Sequence, residues 1–200
     1  MRFVLLQQAA MHRCRRAGDG RRGTYSSDHR VLAMQTYLTQ LQTFERILTD
    51  DGFATRLHAS DESIPYDVLL VGIGDEDGEG YQLELTFIPE MEEELDGASL
   101  LQCFVQVPAE LADGAESDLM RLLNRINGHL PLVGFCYLDG ERMLCYRHVL
   151  MIPNKGDSDG ALVKQTAWMI SYLLSTFGGA VASVAAGSRT IDDVINDIGL

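Results

Sequence analysis

The sequence predicts an α+β domain: an antiparallel sheet of about five strands in the order α-β-β-β-α-β-β-α, with helices packed on it. Three observations carry this expectation. Apolar and polar residues alternate over residues 81–87 and 101–107, which marks strands with one buried face. Leu and Ile recur at helical spacing near residues 38–48, 119–126 and 162–177. Strands also follow one another with few helices between them, which favours antiparallel pairing over a helix-crossed parallel sheet.

Each element has its own signal. Leu38, Leu41, Phe44, Ile47 and Leu48 share one helical face, and Gly52 stops that helix. Residues 66–73 are a nearly continuous β-branched and Leu run, as expected of an inner strand apolar on both faces. Tyr81, Leu83, Leu85 and Phe87 alternate with Gln82, Glu84 and Thr86, and Leu101, Cys103, Val105 and Val107 alternate with Gln102 and Gln106. Asp113 with Glu116 reads as a capping box for a second helix, with Leu119, Leu122, Leu123 and Ile126 as its stripe. Gly128 is expected to leave that helix in a left-handed conformation, and Pro131 bars its continuation. Val133, Phe135 and Tyr137 then face one side of a strand, and a turn at residues 139–142 leads into a partner strand at 143–150. A long helix carries Leu162, Val163, Ala167, Ile170, Leu173, Leu174 and Phe177, with Gly178 and Gly179 as its expected end. Residues 180–188 fit either a helical extension or a linker. Thr190 with Asp193 opens a short last helix.

Several of these patterns belong together. Asp51-Gly52-Phe53, Leu122-Leu123-Asn124 with Ile126-Asn127, Leu130-Pro131-Leu132 and the strand at 134–138 are similar to the YbjN-domain family of bacterial sensory-transduction regulators, over about Met34 to Phe177. The resemblance implies a fold similar to type III secretion chaperones and a regulatory, protein-binding role. The expected organisation is a basic, disordered extension at 1–33, a YbjN-like domain at 34–178, and a small-residue linker with a short helix at 179–200.

Charge narrows the partners. The 200 residues carry a net charge of −13. Residues 1–33 hold seven Arg and two acids, net +5, so the remaining 167 carry −18. An acidic body repels phosphate backbones and anionic lipid, which argues against nucleic-acid or membrane binding and for basic or apolar partners. The basic segment fits a targeting peptide poorly, because its apolar run is broken by Gln7 and Gln8. A disordered arm and an upstream extension with Met34 as the natural start both remain open. No apolar run is expected to reach the roughly 20 residues of a membrane helix. Cys14, Cys103, Cys136 and Cys145 lack framework spacing and read as reduced thiols of a cytoplasmic protein. Cys136 and Cys145 depend on the turn. With Asp139 and Gly140 central they sit diagonally, too far apart to bridge; with Gly140 and Glu141 central they face each other.

Site-like patterns are weak. Gly72-Ile73-Gly74 follows a strand but leads into acids and another strand, which cannot cradle phosphate. Asp75, Asp77 and Glu79 mimic part of a calcium loop, but Thr86 stands where a bidentate carboxylate is needed. Cys145 and His148 have metal-like spacing, yet residues three apart on a strand point to opposite faces. His58, His129 and His148 are scattered, and no nucleophile elbow is present. The expectation is therefore a non-enzymatic module without cofactor or metal, a homodimer that binds a protein partner or client. Its proposed contact residues are Ile88, Leu100 and Phe104, apolar on the nominally polar strand face, and Trp168 on the long helix. The alternative is a ligand sensor or cryptic enzyme with a pocket near Tyr146 and His148.

Overall fold

The computed structural model describes residues 27–62, 64–74, 80–89, 95, 97–153 and 159–200. Helix α1 (Ser27–Asp50) is followed by four strands, β1 (Ala54–His58), β2 (Val68–Ile73), β3 (Tyr81–Ile88) and β4 (Ala98–Gln106). Helix α2 (Glu116–Asn127), strands β5 (Phe135–Leu138) and β6 (Met143–Pro153), helix α3 (Asp159–Ala185) and helix α4 (Ile191–Ile198) complete the chain. The strands form one antiparallel sheet of six, in the order β1-β2-β3-β4-β6-β5. The sixth strand is β1, whose Ala-Thr-Arg-Leu-His sequence hides it. It is an edge strand with Leu57 as its one large apolar residue, so no alternation can be read from it.

All the helices bury their apolar stripes on one face of this sheet. Leu41, Phe44 and Leu48 of α1, Leu119, Leu122 and Ile126 of α2, and Val163, Ile170 and Leu173 of α3 share a core with Leu69, Leu83, Leu85, Leu101, Val105 and Tyr146. Tyr37 stacks on Phe87, with ring centroids 4.5 Å apart, and seats α1 across the strands. Gly52, at φ +96°, ends α1 as expected, and Phe53 N–H then bonds back to Leu48 O at 3.0 Å.

Other boundaries differ from expectation. Helix α2 starts at Glu116 without a side-chain cap, because Gly114 takes a positive φ of 83° and moves Asp113 away from the helix end. Gly128 stays right-handed at φ −66°. There the last carbonyls are met without a left-handed residue: Gly128 N–H bonds Asn124 O at 3.1 Å and His129 N–H bonds Ile126 O at 2.9 Å. Asn127 Nδ2–H donates to Phe135 O at 2.7 Å, and its Oδ1 accepts from Phe135 N–H at 3.2 Å. Arg147 N–H bonds Gly134 O, so Phe135 is the next, non-hydrogen-bonded pair and its amide groups point away from β6. The Asn127 side chain thus stands in for a further strand at the edge of β5.

Helix α3 does not stop at Gly178 and Gly179; it runs to Ala185, which settles the ambiguous segment as helical extension up to that residue. Gly178 is there for space: the Tyr81 hydroxyl lies where a Cβ would stand. Packing outweighs the roughly 1 kcal/mol that an interior helical Gly costs. Thr190 caps α4 as expected, its Oγ1 accepting from Asp193 N–H at 3.2 Å. Among the described residues α3, over Gly160–Ala185, is long and apolar enough to cross a membrane by length and composition: its most apolar 18-residue window has a mean hydropathy of 1.4, with 39% of that window buried. This corrects the expectation that no run reaches such a length. The buried share faces the core, and Phe177, Ala180 and Ala182 pack half-buried against it.

Candidate interaction surface

The outward face of α3 is built from helical spacing. Leu162, Trp168, Met169 and Tyr172 lie on the side opposite Val163, Ala167, Ile170, Leu173 and Leu174, all of which are buried. Trp168 is 49% exposed and Tyr172 64% exposed. The structure turns Trp168, Met169 and Tyr172 outward and Ile170 and Leu173 inward, while Phe177, expected on the inward stripe, is half-buried against the core.

Trp168 is nonetheless held in place. Its Nε1–H donates to Asp51 Oδ2 at 2.6 Å, Lys164 Nζ reaches Asp51 Oδ1 at 3.0 Å, and Phe53 packs tilted against the indole with centroids 4.7 Å apart. Asp51 sits just past the end of α1, so one carboxylate ties that helix end to α3. The hydrogen bond from Trp168, then that from Lys164, holds the Asp51 carboxyl below its ordinary 3.8. A lowered pKa means that the stabilisation is complete above the ordinary value and is lost as pH falls through the folded one. Trp168 is the chain's single Trp, so its emission reports this link. Acid titration is expected to shift that emission with a midpoint below 3.8, and Asp51→Asn is expected to abolish the step. A midpoint at or above the ordinary value would contradict the assignment.

The strand-face residues behave differently. In register, Arg56, Leu70, Glu84, Phe104 and Arg147 form one row on the face away from the helices, and Ile88, Leu100 and Met151 form another. Ile88 is 8% and Phe104 5% exposed, and Leu100 is half-buried. Their expected exposure is thereby corrected for Ile88 and Phe104. The reason is that this face is shielded as well: Gln102 is buried and accepts from Arg147 Nε at 2.8 Å, while buried Thr86 donates to Asp67 O at 2.9 Å. Ile64, Tyr66 and Val68 make a second small cluster there, with Leu70 against it.

Where the pocket near Tyr146 and His148 is expected, Tyr146 is packed into the core and His148 is half-buried. Tyr146 is fully buried, meets Phe135 edge-on at 5.1 Å and donates its hydroxyl to Leu132 O at 2.8 Å. Burial pushes its phenol well above the usual value, so it stays protonated. A shallow concavity of about 580 Å³ lies elsewhere, beside Arg56, Leu70, Gly72 and Gln82. His148 pairs with Cys103 on the helix side of the sheet and Cys145 faces the other way, as strand alternation required. Among the described residues no group of three His, Cys, Asp or Glu is placed to hold a metal. The calcium-like residues Asp75, Asp77 and Glu79 lie outside the described residues.

The sequence profile of YbjN, described as "Putative bacterial sensory transduction regulator", matches residues 33–178. The chain belongs to the YbjN family. Within this YbjN domain lie Asp51, Phe53, Lys164, Trp168 and Tyr172, the whole anchored end of the surface. The match stops at residue 178, inside α3, so α4 is beyond the YbjN profile although its Ile191 and Val194 join the core. No curated protein and no solved structure matches the chain. The Asp51–Trp168 link was not legible in the sequence, because no local pattern connects residues 117 positions apart.

Proposed function

We propose that this chain is a non-enzymatic regulatory module of the cytoplasm that binds a basic, apolar-bearing polypeptide on the outward stripe of α3. One observation carries the reading: Leu162, Trp168, Met169 and Tyr172 are all exposed on a helix whose opposite face is already buried in its own core. Aromatic and Met side chains presented together are what a binding hot spot needs, and the fixed indole of Trp168 lowers the ordering cost of docking. The charge of −18 outside residues 1–33 favours a basic partner and speeds its encounter. The description of the family as a regulator supports a role by binding rather than by catalysis. Of the contact residues expected on the sheet, Leu100 remains accessible beside exposed Met151, at some distance from the stripe in register and face.

The test is site-specific photo-crosslinking in the source cell with the probe at position 172, compared with a probe at Met120, which is also exposed but on α2. A discrete polypeptide adduct at 172 and none at 120 is expected. Tyr172→Asp is expected to lower capture at least tenfold, or about 1.4 kcal/mol, without moving the thermal midpoint. Equal adducts at both sites, or vesicle binding that the substitution abolishes, would sink the proposal.

A further inference from the structure

The hairpin β5–β6 brings two thiols together on the sheet face away from the helices. Leu138 pairs with Met143 across the short turn at residues 139–142, where Arg142 adopts a left-handed φ of 50°. That register sets Cys136 directly opposite Cys145, with Sγ atoms 2.8 Å apart. The pair takes the hydrogen-bonded position of the ladder, where Cα atoms stand about 5.5 Å apart, within the span a disulfide bridges. Cys136 is half-buried on an edge strand of four residues, so a reagent can approach it and closure distorts little else. Arg147 lies one pleat from Cys145 on the same face. Cys103 provides the contrast: it is fully enclosed on the core face, and burial pushes its thiol up to about 12.

We propose that Cys136 and Cys145 form a reversible dithiol–disulfide site that reacts with low-molecular-weight disulfides of the oxidised-glutathione class. In the first step the Cys136 thiolate attacks one sulfur of the external disulfide. A mixed disulfide forms, and the departing thiolate takes up the proton that Cys136 gave up. In the second step Cys145 loses its proton and attacks Cys136 Sγ, which forms the cross-strand disulfide and releases the other external thiol. Two protein thiols are oxidised and one external disulfide is reduced to two thiols. The order of attack follows from the surroundings. The hydrogen bond from Cys145 lowers the Cys136 pKa, burial opposes this, and Arg147 lowers it further. The same hydrogen bond and burial raise Cys145, which makes it the resolving thiol.

The test is equilibration of the full chain in mixtures of reduced and oxidised glutathione, followed by acid quench, alkylation under unfolding conditions and peptide mass mapping. Oxidising mixtures are expected to remove two of the alkylated thiols, to yield a peptide pair joined through Cys136 and Cys145, and to be reversed by excess reduced glutathione. Cys145→Ser is expected to stop at the mixed disulfide on Cys136. Arg147→Gln is expected to move the pH profile of Cys136 reaction upward. Full alkylation of Cys136 and Cys145 in the wild-type chain under the most oxidising mixture would overturn the proposal, as would a cross-link through Cys103 or Cys14.

Discussion

Phe104→Asp is expected to cost the chain most or all of its folded state. The ring is 5% exposed, and losing a buried Phe side chain alone removes about 3–5 kcal/mol. The incoming carboxylate adds a second loss, since it must be buried between Glu84 on β3 and Arg147 on β6, where the cation only partly offsets its desolvation and the facing Glu84. Glu84 already has its pKa raised by burial, and a like charge across the ladder raises the cost of ionising either group. The total reaches the lower part of the roughly 5–15 kcal/mol that holds an ordinary domain together. Urea unfolding followed by far-UV circular dichroism measures it. The expected pattern is a near-complete loss of the folded baseline for Phe104→Asp and a shift of about 1 kcal/mol for Phe104→Leu, which preserves most of the volume. An unchanged midpoint for Phe104→Asp would place the ring in solvent after all.

Gly134→Ala is expected to destabilise by about 1–3 kcal/mol, a large penalty for one methyl group. A Cβ at this position would stand 2.5 Å from Tyr146 Cζ and 2.7 Å from both Cε atoms, directly over the ring. The ring has nowhere to retreat. Its hydroxyl is tied to Leu132 O, and its edge is packed on Phe135. Displacing it would leave a buried phenol without its acceptor, which is costlier than the steric clash. Gly140→Ala is the internal control, because a Cβ there meets nothing within 4 Å. The difference between the two midpoints isolates the contact with Tyr146; equal midpoints would show that the ring adapts.

These cases mark what the sequence reveals and why. The stripe of α2 was legible because Leu119, Leu122, Leu123 and Ile126 repeat at the helical period, and all four are buried. The strands β3 and β4 were legible from alternation, and so was the inward face of α3. Alternation reports two faces, however, without saying what covers the second. Gln102 beside Phe104 reads as solvent-facing, whereas the structure buries both, with the Gln102 side chain bonded to Arg147. Short-range patterns also cannot reveal a residue kept small for a distant neighbour, and so Gly178 looked like a helix stop when it makes room for Tyr81. The anchored surface was half legible. Helical spacing turned Trp168 and Tyr172 outward, but the carboxylate that fixes the indole comes from the end of another helix. The facing thiols depended on the turn, and the two possible registers of that hairpin give opposite answers; the pairing of Leu138 with Met143 selects the one in which they meet.

The strand order also divides the chain in a way its single core conceals. From β1 to β4 every pairing joins neighbours in sequence, and β5 pairs with β6 across a short turn. Only β4 with β6 reaches across intervening elements, since α2 and β5 lie between them. Joining them closes a loop, so the entropic cost of the topology is concentrated in that one pairing. The molecule is thus two sequence-local halves stitched along a single seam, whose register runs from Ala98 with Pro153 to Gln106 with Cys145. At its far end the seam finishes on one of the facing thiols, so whatever chemistry befalls that hairpin acts on the last stitch between the halves.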